Sequence, residues 1–204
     1  MRIVWGRISS INVQKVVWCL DELGLAYERK DAGGAFGYPS DYKTKNPNPL
    51  VPTYDEDGFT LWESNAIVRY LCSKHGAGTL YPDDLRVRAD SDRWMDWQTT
   101  NATAAMRDVF WQLVRFKPEE RNAEIIARST EACEQKARVL DDVLAGRPFV
   151  AGDAFTMGDI AIGCHVIRWY KLPIERPALP NLEAYHERIR SRPAAKSVVE
   201  LALS

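Results

Sequence analysis

Three short segments of the chain bring together side chains able to bind a small ligand and sharpen a nucleophile. The first is Arg7-Ile8-Ser9-Ser10-Ile11-Asn12, in which two hydroxyls and an amide stand at the start of a helical pattern. Backbone N–H groups point out of a helix start, and the helix dipole adds to them. Together they can hold an anion or lower the pKa of a thiol. The same residues have a plainer use: Ser10 or Asn12 can cap the helix, and for a lone serine that is the commoner role. The second segment is Asn46-Pro47-Asn48-Pro49-Leu50-Val51-Pro52, whose prolines fix an extended, turned approach to a strand. A proline opening a strand can follow a cis bond that turns the neighbouring backbone outward. Val51 would then offer its N–H and C=O to an extended peptide, a one-residue form of strand addition. A rigid loop of trans prolines is the alternative. The third segment, Trp62-Glu63-Ser64-Asn65-Ala66-Ile67, opens a helix directly after a strand. Ser64 can present its hydroxyl and N–H to a carboxylate, while Glu63 can pair with an ammonium. An amino-acid end group carries both charges. Taken singly, Glu63 and Ser64 are more often ordinary first-turn residues.

The elements that must hold these segments change character along the chain. Ile3-Val4-Trp5 reads as a short buried strand, and Val13, Val16, Val17, Leu20 and Leu23 follow with helical spacing up to a stop at Gly24. Tyr27 to Asp31 is a second strand. Val51 to Asp55 and Phe59 to Leu61 flank the turn Glu56-Asp57-Gly58, a hairpin signal, and Ile67, Tyr70 and Leu71 mark a helix ending near Gly76. This order predicts a mixed sheet with one crossover and one antiparallel pair. Gly76 to Pro82 reads as a connector, and no strand signal follows it. Residues 86 to 116 have no proline or glycine and read as one long helix, with Trp94, Trp97, Ala105, Val109 and Leu113 near one face. Residues 119 to 145 form a second amphipathic run. Thr156-Met157-Gly158-Asp159 resembles a capping box with Phe155 as its staple, opening a helix apolar nearly all round and therefore buried. Leu182, Tyr185 and Ile189 mark a last helix after Pro180. The predicted division is an α/β unit at 1–77, a linker at 78–85 and an all-helical unit at 86–204.

Composition excludes several classes. The 27 basic and 28 acidic residues leave a net charge of -1 without blocks of one sign, which argues against nucleic acid as a partner. Cys19, Cys72, Cys133 and Cys164 are too far apart for a Cys-x-x-Cys motif, so they read as buried free thiols rather than metal ligands. The apolar start Ile3-Val4-Trp5 is too short for a secretory leader, and no stretch approaches the roughly 18 apolar residues of a membrane span. A soluble, cytoplasmic protein without a metal or a membrane partner is expected.

Taken together, Ser10, Val51-Pro52 and Glu63-Ser64-Asn65-Ala66-Ile67 resemble the glutathione site of the cytosolic glutathione transferases. Phe155-Thr156-Met157-Gly158-Asp159-Ile160-Ala161 is similar to the capping-box segment of that family's core helix. Asn12-Val13-Gln14-Lys15-Val16 and Leu61 to Leu71 look like bacterial members related to the theta and beta classes. The resemblance implies a thioredoxin-like, glutathione-binding domain with a mixed four-stranded sheet, followed by an all-α domain. It implies that Ser10 bonds the glutathione sulfur, with Ser9 and Asn12 as neighbouring candidates. Val51 would pair with the cysteinyl backbone, Pro52 would be the cis proline, and Glu63 and Ser64 would hold the γ-glutamyl end. The segment before the first helix has neither the cysteine nor the tyrosine of other classes, which points to serine-type chemistry. Leu50 stands where many relatives have lysine, leaving Lys43, Lys45 and Asn48 as candidates for the glycyl carboxylate. The implied activity is attack by glutathione thiolate on a small hydrophobic electrophile, a disulfide or a peroxide. A non-catalytic scaffold, a glutathione-dependent isomerase and a disulfide reductase are the alternatives. Phe110 and Trp111 are candidates to line the second-substrate cavity. A homodimer is also implied, with Trp62, Arg69 and the helix around Trp94 as interface candidates.

Overall fold

The computed structural model describes residues 1–204. Its first part is strand β1 (Arg2–Trp5), helix α1 (Ile11–Glu22), strand β2 (Glu28–Lys30), a short helix α2 (Tyr42–Lys45), the hairpin β3 (Thr53–Glu56) and β4 (Phe59–Trp62), and helix α3 (Ser64–His75). The sheet order is β2-β1-β3-β4, with β1 parallel to β2 and antiparallel to β3, and β3 antiparallel to β4. The parallel pair needs the α1 crossover. The hairpin turn uses Asp57 and Gly58, both at positive φ (51° and 87°), the geometry that a two-residue hairpin turn favours. Gly24, at φ 63°, ends α1: its N–H bonds to Asp21 C=O and the Leu25 N–H reaches back to Leu20 C=O. The mixed four-stranded sheet and the helical second part match the expected fold class.

Only helices follow: α4 (Leu85–Trp97), α5 (Thr103–Phe110), α6 (Ala123–Leu144), α7 (Met157–Lys171), α8 (Pro180–Arg190) and the short α9 (Lys196–Val199). The expected single helix over 86–116 is instead α4 and α5 interrupted by π turns at Gln98–Ala102 and Trp111–Arg115. Side-chain patterning does not reveal such turns, because the helical path continues through them. Helix α6 begins at Ala123 rather than 119, since Pro118 opens a 3-10 turn and Asn122 then caps α6 through Glu124 and Ile125. Strand β3 starts at Thr53 rather than Val51, because Pro52 has no N–H to give the ladder.

Helix α1 joins the two halves. Residues Val13 to Leu20 are all buried, with α3 on one side and α7 on the other. Trp18 lies against Gly163 of α7, where a Cβ would come within 2.7 Å of its ring, so any larger residue there would displace the indole. The indole Nε1 donates to Glu22 at 2.9 Å, and Glu22 also takes both arms of Arg192 at 2.6 and 2.7 Å. Helix α7 is buried over nearly its whole length, as its composition predicted.

The capping box at its start is present. Asp159 accepts from the Thr156 N–H at 2.9 Å, the Thr156 hydroxyl at 3.1 Å, the Val150 N–H at 3.0 Å and the Tyr185 hydroxyl at 3.1 Å. Full burial pushes its carboxyl up to about 6 despite those donors. Removing the carboxylate strands two buried backbone N–H groups, each costing about 1–3 kcal/mol. Asp159→Ala should therefore lower the unfolding free energy by about 2–5 kcal/mol, read as a fall in the urea midpoint. A loss under about 1 kcal/mol would mean that other groups or water satisfy those donors.

Candidate functional site

The sheet register carries the three chemistry-bearing segments to one edge. Trp5 pairs with Thr53, and Thr53 pairs with Trp62. The residues after Trp5, before Thr53 and after Trp62 therefore emerge side by side at one end of β1, β3 and β4. Adjacent strands lie about 4.8 Å apart, so the three segments span roughly 10 Å, the reach of an extended tripeptide. Gly6 permits the closest approach among them. A Cβ there would stand 2.5 Å from Val13 Cγ2 and 3.0 Å from Val51 Cβ. Any side chain at position 6 would push Val51 away from the start of α1.

Ser10 precedes α1 with extended backbone (φ -77°, ψ 124°), and its side chain makes no capping bond. The capping alternative is thus set aside for Ser10, whose residue lines the cavity described below. Ser9 lines it too, with its C=O held at 3.0 Å by Arg168 of α7. Gln14 Nε2 fastens the same loop by donating to Ile8 C=O at 3.0 Å. Asn12 sits half-buried in the first turn of α1 and is not part of the cavity wall. The Val51–Pro52 peptide is cis, and the Val51 N–H and C=O have no partner within the chain. The loop before it is fastened by Tyr42, whose hydroxyl donates to Leu50 C=O at 2.7 Å and lies 2.8 Å from Thr53 Oγ1. Asn46 Nδ2 donates to the same two oxygens at 3.2 and 3.1 Å. Asn48 and Lys43 are exposed on the α2 side, away from the cavity wall, and Lys45 pairs with Asp55 at 3.6 Å. Glu63 adopts φ 71°, costly for a side chain with a Cβ and a frequent mark of a functional position. Ser64 follows as the first residue of α3, buried, its hydroxyl and the first N–H groups of the helix free of partners in the chain.

A cavity of about 420 Å³ opens between the sheet end and the helices. Arg7, Ser9, Ser10 and Ile11 form one wall, with Gly34, Ala35 and Phe36 from the loop after β2. Thr103, Met106, Arg107, Phe110, Trp111 and Arg115 line the α5 side, and His165 and Arg168 come from α7. Phe110 and Trp111 are thus both part of the cavity wall. Arg168 lies over the Phe110 ring at 4.4 Å, and burial, with Arg115 and Arg7 nearby, lowers its pKa to about 10. Burial likewise lowers Arg115, with Arg7 adding to the effect. His165 is pushed down to about 3 by burial, then by Arg168 and Lys15, so its imidazole stays neutral.

Family models for the glutathione S-transferase N-terminal and C-terminal domains match residues 6–79 and 123–188. The glutathione S-transferase GstB of Escherichia coli K12 is 39% identical over 205 residues, covering 98% of this chain and 99% of its own. The chain belongs to the glutathione S-transferase family. Among solved structures, a theta class glutathione S-transferase from Xanthomonas axonopodis pv. citri with glutathione bound superposes with a TM-score of 0.95. It is 42% identical and covers 100% of this chain and 99% of its own. The disulfide-bond oxidoreductase YfcG of Escherichia coli is 27% identical, over 90% of this chain and 87% of its own.

This glutathione S-transferase also contains a buried polar chain that sequence reasoning missed. Lys15, 1% exposed, donates to Asn65 Oδ1 at 3.1 Å and to Gln98 Oε1 at 2.7 Å. Asn65 Nδ2 passes to Met95 C=O at 2.7 Å and Thr99 Oγ1 at 3.0 Å, and Gln98 Nε2 to Thr103 Oγ1 at 2.6 Å. A lysine between valines of a helix otherwise buried was the available signal. The arginines at 7, 115 and 168 gave none, since they meet only in the folded chain.

Burial lowers the pKa of Lys15 to about 8, whereas a lysine in the unfolded chain titrates near 10.4. Between those values the native chain binds fewer protons than the unfolded one, so stability rises with pH across that window. The unfolding free energy of wild type relative to Lys15→Met should climb by up to about 1.4 kcal/mol per pH unit from pH 8 to 10. Denaturant titrations at stepped pH measure this. A difference that stays flat or falls would mean that the buried ammonium keeps an ordinary pKa.

Proposed function

We propose that this glutathione S-transferase activates the glutathione thiol with the Ser10 hydroxyl and directs the thiolate at a small electrophile held between the sheet end and α5. The observation that carries the reading is an uncommitted Ser10 at the start of α1, lining a cavity beside four arginines. A free thiol with pKa near 8.5 is only about 3% thiolate at neutral pH. Lowering it by about two units makes thiolate the major form and requires ~2.7 kcal/mol of preferential stabilisation. Three sources add in one direction: a hydroxyl donor at Ser10, the positive end of α1, and the guanidinium charges of Arg7 and Arg168.

The rest of glutathione lies along the sheet end. Its cysteinyl backbone pairs with the free N–H and C=O of Val51 beside Pro52. The γ-glutamyl carboxylate takes the Ser64 hydroxyl and the first N–H groups of α3, and its ammonium faces Glu63. Lys43 and Asn48 are assigned to the glycyl carboxylate, and Ser9 and Asn12 to positioning around the sulfur. Residues 1–77 act as the glutathione-binding domain and 86–204 as the helical domain that shapes the second-substrate site. Phe36, Phe110 and Trp111 give that site aromatic walls suited to a flat electrophile. The reading includes a cytoplasmic homodimer. Arg69 is committed to Asp92 and Asp96 within its own chain and Trp94 is buried, so the exposed Leu85 and Phe59 are better contact candidates.

Two substitutions separate the roles. Ser64→Ala should weaken glutathione binding about tenfold in calorimetry, the loss of one hydrogen bond to a charged group. Ser10→Ala should lower kcat with 1-chloro-2,4-dinitrobenzene about 10–100-fold and raise the apparent thiol pKa by one to two units, with glutathione affinity little changed. Unchanged thiol ionisation in Ser10→Ala, with loss of activity in Ser9→Ala or Asn12→Ala, would move the catalytic role to those residues. No glutathione binding by folded wild type would replace the enzyme reading with that of a scaffold.

A further inference from the structure

The cavity wall carries a charge pattern that a hydrophobic electrophile does not need. Arg7, Arg107, Arg115 and Arg168 line it, and no aspartate or glutamate does. Arg107 has Asp108 at 3.2 Å, but Arg7, Arg115 and Arg168 have no carboxylate in ion-pair range. The chain as a whole is nearly neutral, so this cluster is a local feature. Its geometry is built rather than incidental. Arg115 and Arg168 both approach the Phe110 ring, at 5.6 and 4.4 Å from its centroid. Arg168 is anchored on Ser9 C=O at 3.0 Å, and its Nε is buried without a partner. Arg7 runs over Gly34, where a Cβ would lie 3.3 Å from its side chain. Like charges crowded into one cavity repel each other and lose hydration, and a bound anion offsets both effects.

Glutathione offsets only one of these three unpaired charges, through the thiolate that Arg7 and Arg168 stabilise near Ser10. In the reading above its two carboxylates go to Ser64 and to the α2 side, whereas Arg115 and Arg168 belong to the helical wall. We infer, resting on that transferase reading, that the second substrate is an anionic aromatic electrophile, with a carboxylate held by Arg7, Arg115 and Arg168 and its ring against Phe110 and Trp111. In the reaction the thiolate sulfur gives its electron pair to the ring carbon bearing a halide. The new S–C bond forms, the carbon–halogen bond breaks, and halide leaves with the bonding pair. The thiol proton has already passed to solvent.

Two nearly isosteric probes test this: 4-chloro-3,5-dinitrobenzoate and the neutral 4-chloro-3,5-dinitrobenzamide. The kcat/KM for each, at saturating glutathione, is divided by the uncatalysed rate constant with glutathione to remove intrinsic reactivity. Wild type should favour the carboxylate by about tenfold or more, and added salt should shrink the preference. Arg115→Gln, an exposed position, and Arg7→Gln should each cut the ratio by about fivefold. A wild-type ratio at or below one overturns the inference. So does a ratio unchanged in both variants, or an equal fall for both probes with a higher KM for glutathione. In that last case the arginines serve glutathione or the charge developing on the ring. No turnover of either probe, or of 1-chloro-2,4-dinitrobenzene, withdraws the transferase reading beneath it as well.

Discussion

Helix α1 is buried on both sides, by the sheet and α3 on one and by α7 on the other, and the rest of the molecule is arranged around that constraint. A helix enclosed in this way has few uncommitted backbone groups except at its ends. Its C-terminus is closed by Gly24 and Leu25 and clamped through Glu22 to Arg192. Its N-terminus is the end left open, and Ser10 sits there. The interface that holds the two halves together therefore also aims the Ser9–Ser10 segment into the cavity. Gly163, which admits the Trp18 ring, is as much a part of the site's geometry as Gly6, which admits Val51.

Much of this was legible in the sequence because it is local. The Asp57-Gly58 turn, the Thr156–Asp159 box, the Gly24 stop and the three segments at the sheet end each depend on residues within a few positions of one another. Family resemblance then tied the segments together, and the register of β1, β3 and β4 supplies a physical reason why they lie on one line. What escaped was non-local. Lys15 finds Asn65 and Gln98 at separations of 50 and 83 residues, and Arg7 meets Arg168 across almost the whole chain. Periodicity marks Lys15 only as a charge on a buried face, without naming its partners. The π turns escaped for a different reason: a wide turn keeps the side-chain types of the α-helix around it.

Net charge proved a poor guide to the site. A chain balanced to -1 can still collect unpaired arginines on one wall, because its acids are spent elsewhere: Glu22 on Arg192, Glu56 on Arg2 and Lys74, Asp92 and Asp96 on Arg69. The resulting field acts on whatever sits near Ser10. It disfavours any further positive charge: His165 is held neutral by burial first, with Arg168 and Lys15 adding to the effect, so the imidazole adds no charge there. A cavity with one sign of charge, in which Arg168 is buried, makes such effects larger than the same groups would produce at the surface.

The buried polar chain gives the two halves of the site a shared reference. Asn65 is adjacent to Ser64, and Thr103 lines the cavity; Lys15 and Gln98 connect them without passing through solvent. Apolar residues of similar volume in those positions would often be as stable or more so, since an enclosed ammonium loses its hydration. They would also slide. Hydrogen bonds at fixed distances do not, and Lys15 has two acceptors that only one relative placement of α1, α3 and the 98–102 turn provides. On this argument the cost of burying a charge at position 15 is balanced by registration. The start of α3 at Ser64 and the cavity wall at Thr103 are thereby held in one frame.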